Sequence, residues 1–188
     1  IKDTPYEGLK FSRGKSAVRK YLNVDELRMI EDKEIKVTHI ERARDLFVFC
    51  CYTGLAYADM YKFDFNKVVQ LEGEYYIEDI RTKTDEPYHI LILPKAYNIL
   101  EKYKFKLPVI SNQKYNDYLK IVAGLAEINK NLTTHMARHT FATTVLIEND
   151  VPLEIVQRLL GHSSIKTTQI YAKLSPKHVN SYMLKLKD

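Results

Sequence analysis

The sequence predicts an α+β domain, mainly α-helical, with one small three-stranded antiparallel sheet, and two observations carry that reading. Three short runs rich in β-branched and aromatic residues, 67–71, 75–81 and 88–93, are separated by a Glu-Gly-Glu turn and by Thr-Lys-Thr-Asp-Glu-Pro, the pattern of strands joined by hairpins. On both sides of them, apolar residues recur at helical spacing between capping residues and glycine stops.

Taken in order, residues 1–22 are basic and irregular and read as a linker entering the domain, with Lys10, Arg13, Lys15, Arg19 and Lys20 as candidates to touch phosphates. A solvated tail fits the same composition. Asn23 followed by Glu26 is a capping-box variant that opens a helix over Val24–Asp32. A second helix fits 39–52, with Leu46, Phe47, Phe49 and Cys50 on or near one face and Gly54 as its stop. Pro94 closes the third strand, and helices follow at about 95–104, 112–129, 133–149, 152–160, 165–174 and 176–186. Val179, Met183, Leu184 and Leu186 give the last of these an apolar stripe.

Residues 23–188 therefore read as one domain, and 188 residues suffice to bury a core. With 45% hydrophobic and 28% charged residues the composition is that of a globular protein. No apolar run approaches the ~20 residues of a membrane helix, so no membrane partner is expected. A net charge of +5 favours a polyanionic partner, although alone it is a weak signal. Cys50 and Cys51 are adjacent within a predicted helix, where neighbouring side chains diverge, so they read as buried thiols. Without a signal peptide the chain reads as cytoplasmic. No Asp, Glu and His cluster has ligand-like spacing, which argues against a metal-dependent nuclease and calls for no cofactor.

The last third carries the chemistry. THMARHTFATT and LGHSSIKTTQIYAKL contain His135, Arg138, His162 and Tyr171 in order. His135 and Arg138 lie three apart on a predicted helix and share a face. Gly161 ends the helix that carries Ile155, Val156, Leu159 and Leu160, and projects His162 from its cap. A phosphodiester transfer without hydrolysis needs a nucleophile that keeps the bond energy, cations on the non-bridging oxygens and a proton donor for the leaving oxygen. Tyr171, the cations Arg138 and His162, and an upstream lysine match those needs. His139 reads as a packing histidine, and Tyr182 as the next nearest nucleophile.

The order HxxR, then GH, then a tyrosine nine residues after that histidine resembles the tyrosine recombinase, or phage integrase, family over nearly the whole chain. The resemblance implies that family's catalytic-domain fold, with Tyr171 as nucleophile, Arg138 on a non-bridging oxygen, His135 assisting proton transfer and His162 bonded to the phosphate. Lys83, in RTKTDEP, matches a hairpin lysine that protonates the leaving 5′ oxygen. It further implies a site-specific DNA recombinase or integrase forming a 3′-phosphotyrosyl intermediate, serving integration and excision of a mobile element. Double-stranded DNA is the expected partner, with a synaptic tetramer, a monomeric isolated fragment and accessory DNA-bending proteins. A type IB topoisomerase-like enzyme shares the chemistry. The family also places a core-binding domain upstream, so the chain reads as a catalytic domain without it.

One string departs from the pattern. CYTGLAYADM resembles the family's TGLRxxE, but Ala56 stands at the arginine and Asp59 at the acid. Integrases of conjugative transposons are similar in tolerating this. Arg81 is the favoured substitute, sharing a strand face with Lys83 if the strand extends that far; Arg44 stands behind it. Without a substitute, a catalytically weak DNA-binding protein is the expectation.

Overall fold

The structure, a computed structural model, describes residues 20–172. The readings of Lys10, Arg13, Lys15 and Arg19, of Tyr182 and of the helix at 176–186 lie outside the described residues. Lys20 is described and exposed.

Helix α1 (Val24–Asp32) opens on the expected capping box: Asn23 Oδ1 accepts from the Glu26 N–H at 2.8 Å, and Glu26 Oε2 accepts from the Asn23 N–H at 2.9 Å. Helix α2 (Thr38–Thr53) is the centre of the core. Every residue from Leu46 to Cys51 is buried, as befits a helix with neighbours on all sides. Those neighbours are α1, α4 (Pro94–Lys102), α5 (Asn112–Leu125) and α6 (Thr134–Thr140). Cys50 and Cys51 are buried free thiols, and burial pushes the Cys50 thiol up to about 12. Gly54 ends α2 at φ +64°, and a Cβ there would stand 2.3 Å from the Phe141 ring. The left-handed stop and the close approach both require glycine. A five-residue helix, α3 (Tyr57–Tyr61), follows and carries Asp59.

The sheet has the order β1 (Val69–Leu71), β2 (Glu74–Ile80), β3 (Pro87–Leu91), antiparallel throughout, with Ile77 opposite Ile90. Ile77, Tyr88 and Ile90 are its buried side chains. Glu72 and Gly73 both have positive φ at the β1–β2 turn, the conformation that a two-residue hairpin loop demands. Two boundaries differ from expectation. Residues Phe65–Lys67 form a 3₁₀ turn, capped by Asp64 Oδ1 on the Asn66 N–H at 3.0 Å, so β1 starts later. Strand β2 stops at Ile80, and Arg81 belongs to the following turn: its carbonyl accepts from the Asp85 N–H at 3.0 Å.

The stretch 133–149 is not one uninterrupted helix. Helix α6 gives way to a π-helical stretch (Phe141–Leu146) and a 3₁₀ turn (Ile147–Asn149). Here two threonine side chains reach out of the helix to Leu22: Thr140 Oγ1 accepts from the Leu22 N–H at 3.0 Å, and Thr144 Oγ1 donates to the Leu22 carbonyl. Helices α7 (Leu153–Leu160) and α8 (Ile165–Ala172) complete the described fold. Among the described residues no helix is long and apolar enough to cross a membrane.

Candidate active site

Three segments distant in sequence meet at Arg138. Its Nη1 donates to the Gly54 carbonyl at 2.8 Å, and Nη2 donates to the Leu160 carbonyl. Both acceptors are carbonyls at a helix C-terminus, left unpaired by the helix ladder and negative by its dipole. The guanidinium is thereby clamped between the end of α2 and the end of α7. Burial, then the proximity of Arg81, lowers Arg138 to about 10, while Tyr171 and Asp59 act against that loss of charge.

The α7–α8 turn forms as the sequence predicts. Gly161 sits at φ +58°, and the His162 N–H closes back on the Gln157 carbonyl at 3.1 Å. His162 Nδ1 lies 2.9 Å from Thr168 Oγ1 of α8, and its ring stacks on Tyr171 with centroids 6.3 Å apart and planes 5° from parallel. Tyr171 is 1% exposed. Its hydroxyl is 2.9 Å from His139 Nδ1, so the residue read as a packing histidine touches the candidate nucleophile. His135 is exposed one turn earlier on α6, with its ring centroid 6.5 Å from that of His139. The missed signal is the spacing of four, which places positions 135 and 139 on one face.

Arg81 is buried beneath this cluster. Its Nη1 is 3.0 Å from Asp59 Oδ2, its Nη2 donates to the Leu159 carbonyl at 3.0 Å, and its guanidinium carbon lies 3.7 Å from the Tyr88 ring centroid. Among the described residues Arg81 Nε is buried without a hydrogen-bond partner. Burial lowers the Arg81 pKa, with Asp59 opposing. Burial alone would raise the Asp59 carboxyl, but the Thr82 N–H at 3.1 Å and Arg81 outweigh it and hold it below its ordinary value. The acid three residues after Ala56 thus binds a guanidinium that arrives from the other side of the chain.

The other expectations separate. Lys83 is exposed at the β2–β3 turn, and that turn is tied to the site where Thr84 Oγ1 donates to the Gly161 carbonyl at 3.2 Å. It shares no strand face with Arg81, because the strand has ended and Arg81 turns inward. Arg44 is occupied far from this cluster, paired with Asp45 at 2.6 Å and donating to the Glu31 and Lys33 carbonyls at 2.8 Å. It fastens α1 to α2 and is removed as a substitute for the missing arginine. Among the described residues no three His, Cys, Asp or Glu side chains are grouped to hold a metal ion.

A helical domain with a three-stranded sheet, in which Arg138 of the HxxR motif, the turn that carries Gly161 and His162, and Tyr171 are brought together, is the catalytic-domain architecture of tyrosine recombinases. The profile of the Phage integrase family matches residues 20–178, and the chain belongs to that family. Among curated relatives, a tyrosine recombinase XerC of Listeria monocytogenes is 34% identical over 103 residues, covering 50% of this chain and 34% of the relative. A tyrosine recombinase XerA of Pyrococcus horikoshii is 34% identical over 122 residues, covering 65% and 38%. The chain thus spans little more than a third of either relative's length. Among solved structures, XerA recombinase superposes with a TM-score of 0.68 at 23% identity, covering 92% of this chain and 65% of that one. The catalytic domain of bacteriophage HP1 integrase superposes with a TM-score of 0.59 at 22% identity, covering 87% and 92%.

Proposed function

We propose that this chain is the catalytic part of a site-specific DNA recombinase in which Tyr171 attacks the scissile phosphorus and forms a 3′-phosphotyrosyl link. One observation carries the reading: the Tyr171 ring is stacked on His162, whose turn follows the Leu160 carbonyl that anchors Arg138. The nucleophile and one anchor of the phosphate-gripping fork thus lie on one short stretch of chain. The Gly54 and Leu160 carbonyls take two of the five guanidinium donors of Arg138, which leaves donors for a non-bridging oxygen. His162 supplies a second contact. Lys83, on its exposed turn, protonates the 5′ oxygen as it leaves. His135, exposed on the same helix as Arg138, is assigned a supporting contact with the DNA.

Arg81 provides the positive charge that Ala56 does not. It acts from a buried position, held by Asp59 and by the Leu159 carbonyl next to the one that anchors Arg138. Double-stranded DNA is the proposed partner, supported by solved relatives such as XerH bound to its difH substrate, which superposes with a TM-score of 0.69 at 20% identity. Lys20 and the basic residues before it extend the phosphate contacts. The likeness of the Ala56 departure to integrases of conjugative transposons supports a role in integration and excision of a mobile element, with strand exchange in a tetramer.

A pool of nicked duplexes of randomised sequence tests this without the recombination site having been identified. The pool is incubated with the protein in excess chelator, and covalent adducts are recovered under denaturing conditions. Adducts should form without a divalent ion, because the charge at the transition state comes from Arg138, Lys83 and the histidines. Tyr171→Phe should abolish them while DNA binding persists, since one oxygen is lost from a site held by phosphate contacts. Adducts that survive in Tyr171→Phe, or that require Mg²⁺, would move the chemistry elsewhere.

A further inference from the structure

We propose that His139 is the base that takes the Tyr171 phenolic proton during cleavage and returns it during rejoining, a reading that rests on the strand-transfer function proposed above. His139 Nδ1 stands 2.9 Å from Tyr171 Oη, inside the reach a proton acceptor needs. His135 is the histidine to which resemblance assigns this help, but it is exposed on the first turn of α6, its ring 6.5 Å from that of His139.

The surroundings suit the task. Tyr171 faces His139 from α8, while His135 and Arg138 flank it on its own helix. Beyond the tyrosine ring lies His162, whose Nδ1 is engaged by Thr168. An imidazole in its neutral form can accept a proton at a ring nitrogen, which no lysine or arginine there could do. Arg138 opposes a second positive charge nearby but stabilises a phenolate, so transfer becomes favourable only as the tyrosine oxygen closes on phosphorus.

The step balances. The Tyr171 O–H bond breaks, its electron pair forms the new O–P bond, and the proton passes to Nδ1 of the His139 tautomer protonated at Nε2. The P–O5′ bond breaks, and the departing oxygen receives a proton from Lys83. His139 gains what Lys83 gives up, and rejoining reverses both transfers.

The test measures the rate of adduct formation from pH 5 to 9 under saturating protein, using a duplex recovered from the randomised pool, with either oxygen or sulfur at the 5′ bridge. The wild-type rate should fall about tenfold per pH unit below the imidazole pKa. His139→Asn, which keeps an acceptor near the Nδ1 position but cannot hold the proton, should be slower by roughly 10²-fold or more and lose that acid limb, while His135→Ala keeps it. A sulfur leaving group needs no acid, so it should rescue Lys83→Ala and leave His139→Asn slow. His139→Gln serves in the same way should circular dichroism show that the asparagine variant does not fold. A flat wild-type rate from pH 8 to 5 overturns the proposal without any variant. So does a His139→Asn protein with the wild-type profile, or one rescued by sulfur. An adduct formed by Tyr171→Phe sinks the strand-transfer reading instead, so the two failures are distinct.

Discussion

Gly161 joins the buried Arg81 to the turn that presents His162, and Gly161→Ala tests that junction. At φ +58° a Cβ would stand 2.6 Å from Arg81 Cγ and 3.1 Å from its Nε. The left-handed conformation alone costs a side chain about 1–2 kcal/mol. Arg81 has little freedom to retreat, being bonded to Asp59 and to the Leu159 carbonyl and lying over Tyr88. Alanine must therefore push Arg81 off Asp59 or push the turn off Arg81. Complete loss of one partner from a buried pair costs ~3–5 kcal/mol, so partial displacement added to the backbone term gives an expected loss of about 2–4 kcal/mol. Urea unfolding of the wild type, Gly161→Ala, Arg81→Ala and the double variant measures it. With Arg81 removed the clash disappears, and Gly161→Ala should then cost only its backbone term, a coupling of ~1 kcal/mol or more. A single-variant loss under ~0.5 kcal/mol, or strict additivity, refutes the junction as drawn.

Arg138→Ala should slow adduct formation on the order of 10²–10³-fold. Arg138→Lys should recover little of it, because a point charge cannot reproduce the fork between the Gly54 and Leu160 carbonyls; a fully active lysine variant removes the fork from the mechanism. Arg81→Ala should slow the same reaction, and adding Ala56→Arg should restore part of the rate, since position 56 lies three residues before Asp59; no recovery would mean that Asp59 serves Arg81 alone. The folded-state pKa of Asp59 is depressed, so its contribution to stability is present above the unfolded carboxyl value of about 3.9 and is lost as pH falls through the lower folded value. Stability measured from pH 6 to 2 should therefore fall less steeply at the acid end in Asp59→Asn than in the wild type, and parallel curves would contradict the assigned ion pair.

Much of this site is legible in the sequence because its parts carry local signals. The capping box at Asn23 and the glycine stop after Leu160 depend on contacts within a few residues, and spacing along a helix reports them directly. Asn23 marks the start of α1, and Gly161 places His162. Arg81 is the opposite case. Its inward course depends on Asp59, 22 residues earlier, and on the Leu159 carbonyl, 78 residues later, and no local pattern encodes those. The continuation of β2 through Arg81 fails for the same reason: the turn from Arg81 to Glu86 satisfies the backbone that a longer strand would have used. His139 reads as packing from the sequence because a histidine on a half-buried helix face looks alike whether its neighbour is a core residue or, as here, the hydroxyl of Tyr171. Only the tertiary approach of α8 distinguishes them. The π-helical stretch at Phe141–Leu146 is equally hidden, since Thr140 and Thr144 find their partner at Leu22, more than a hundred residues away.

That grip on Leu22 gives the upstream chain a mechanical address. Both backbone polar groups of one fully buried residue are fastened to side chains one turn apart, while Lys130 Nζ holds the Tyr21 carbonyl at 2.8 Å. A pull or twist arriving along the polypeptide from before residue 21 meets the Lys130 contact and then this double clasp. The load passes straight into the segment that begins two residues after Arg138 and one after His139. The two hydrogen bonds at Leu22 thus couple the incoming chain directly to the helical segment that follows the phosphate fork.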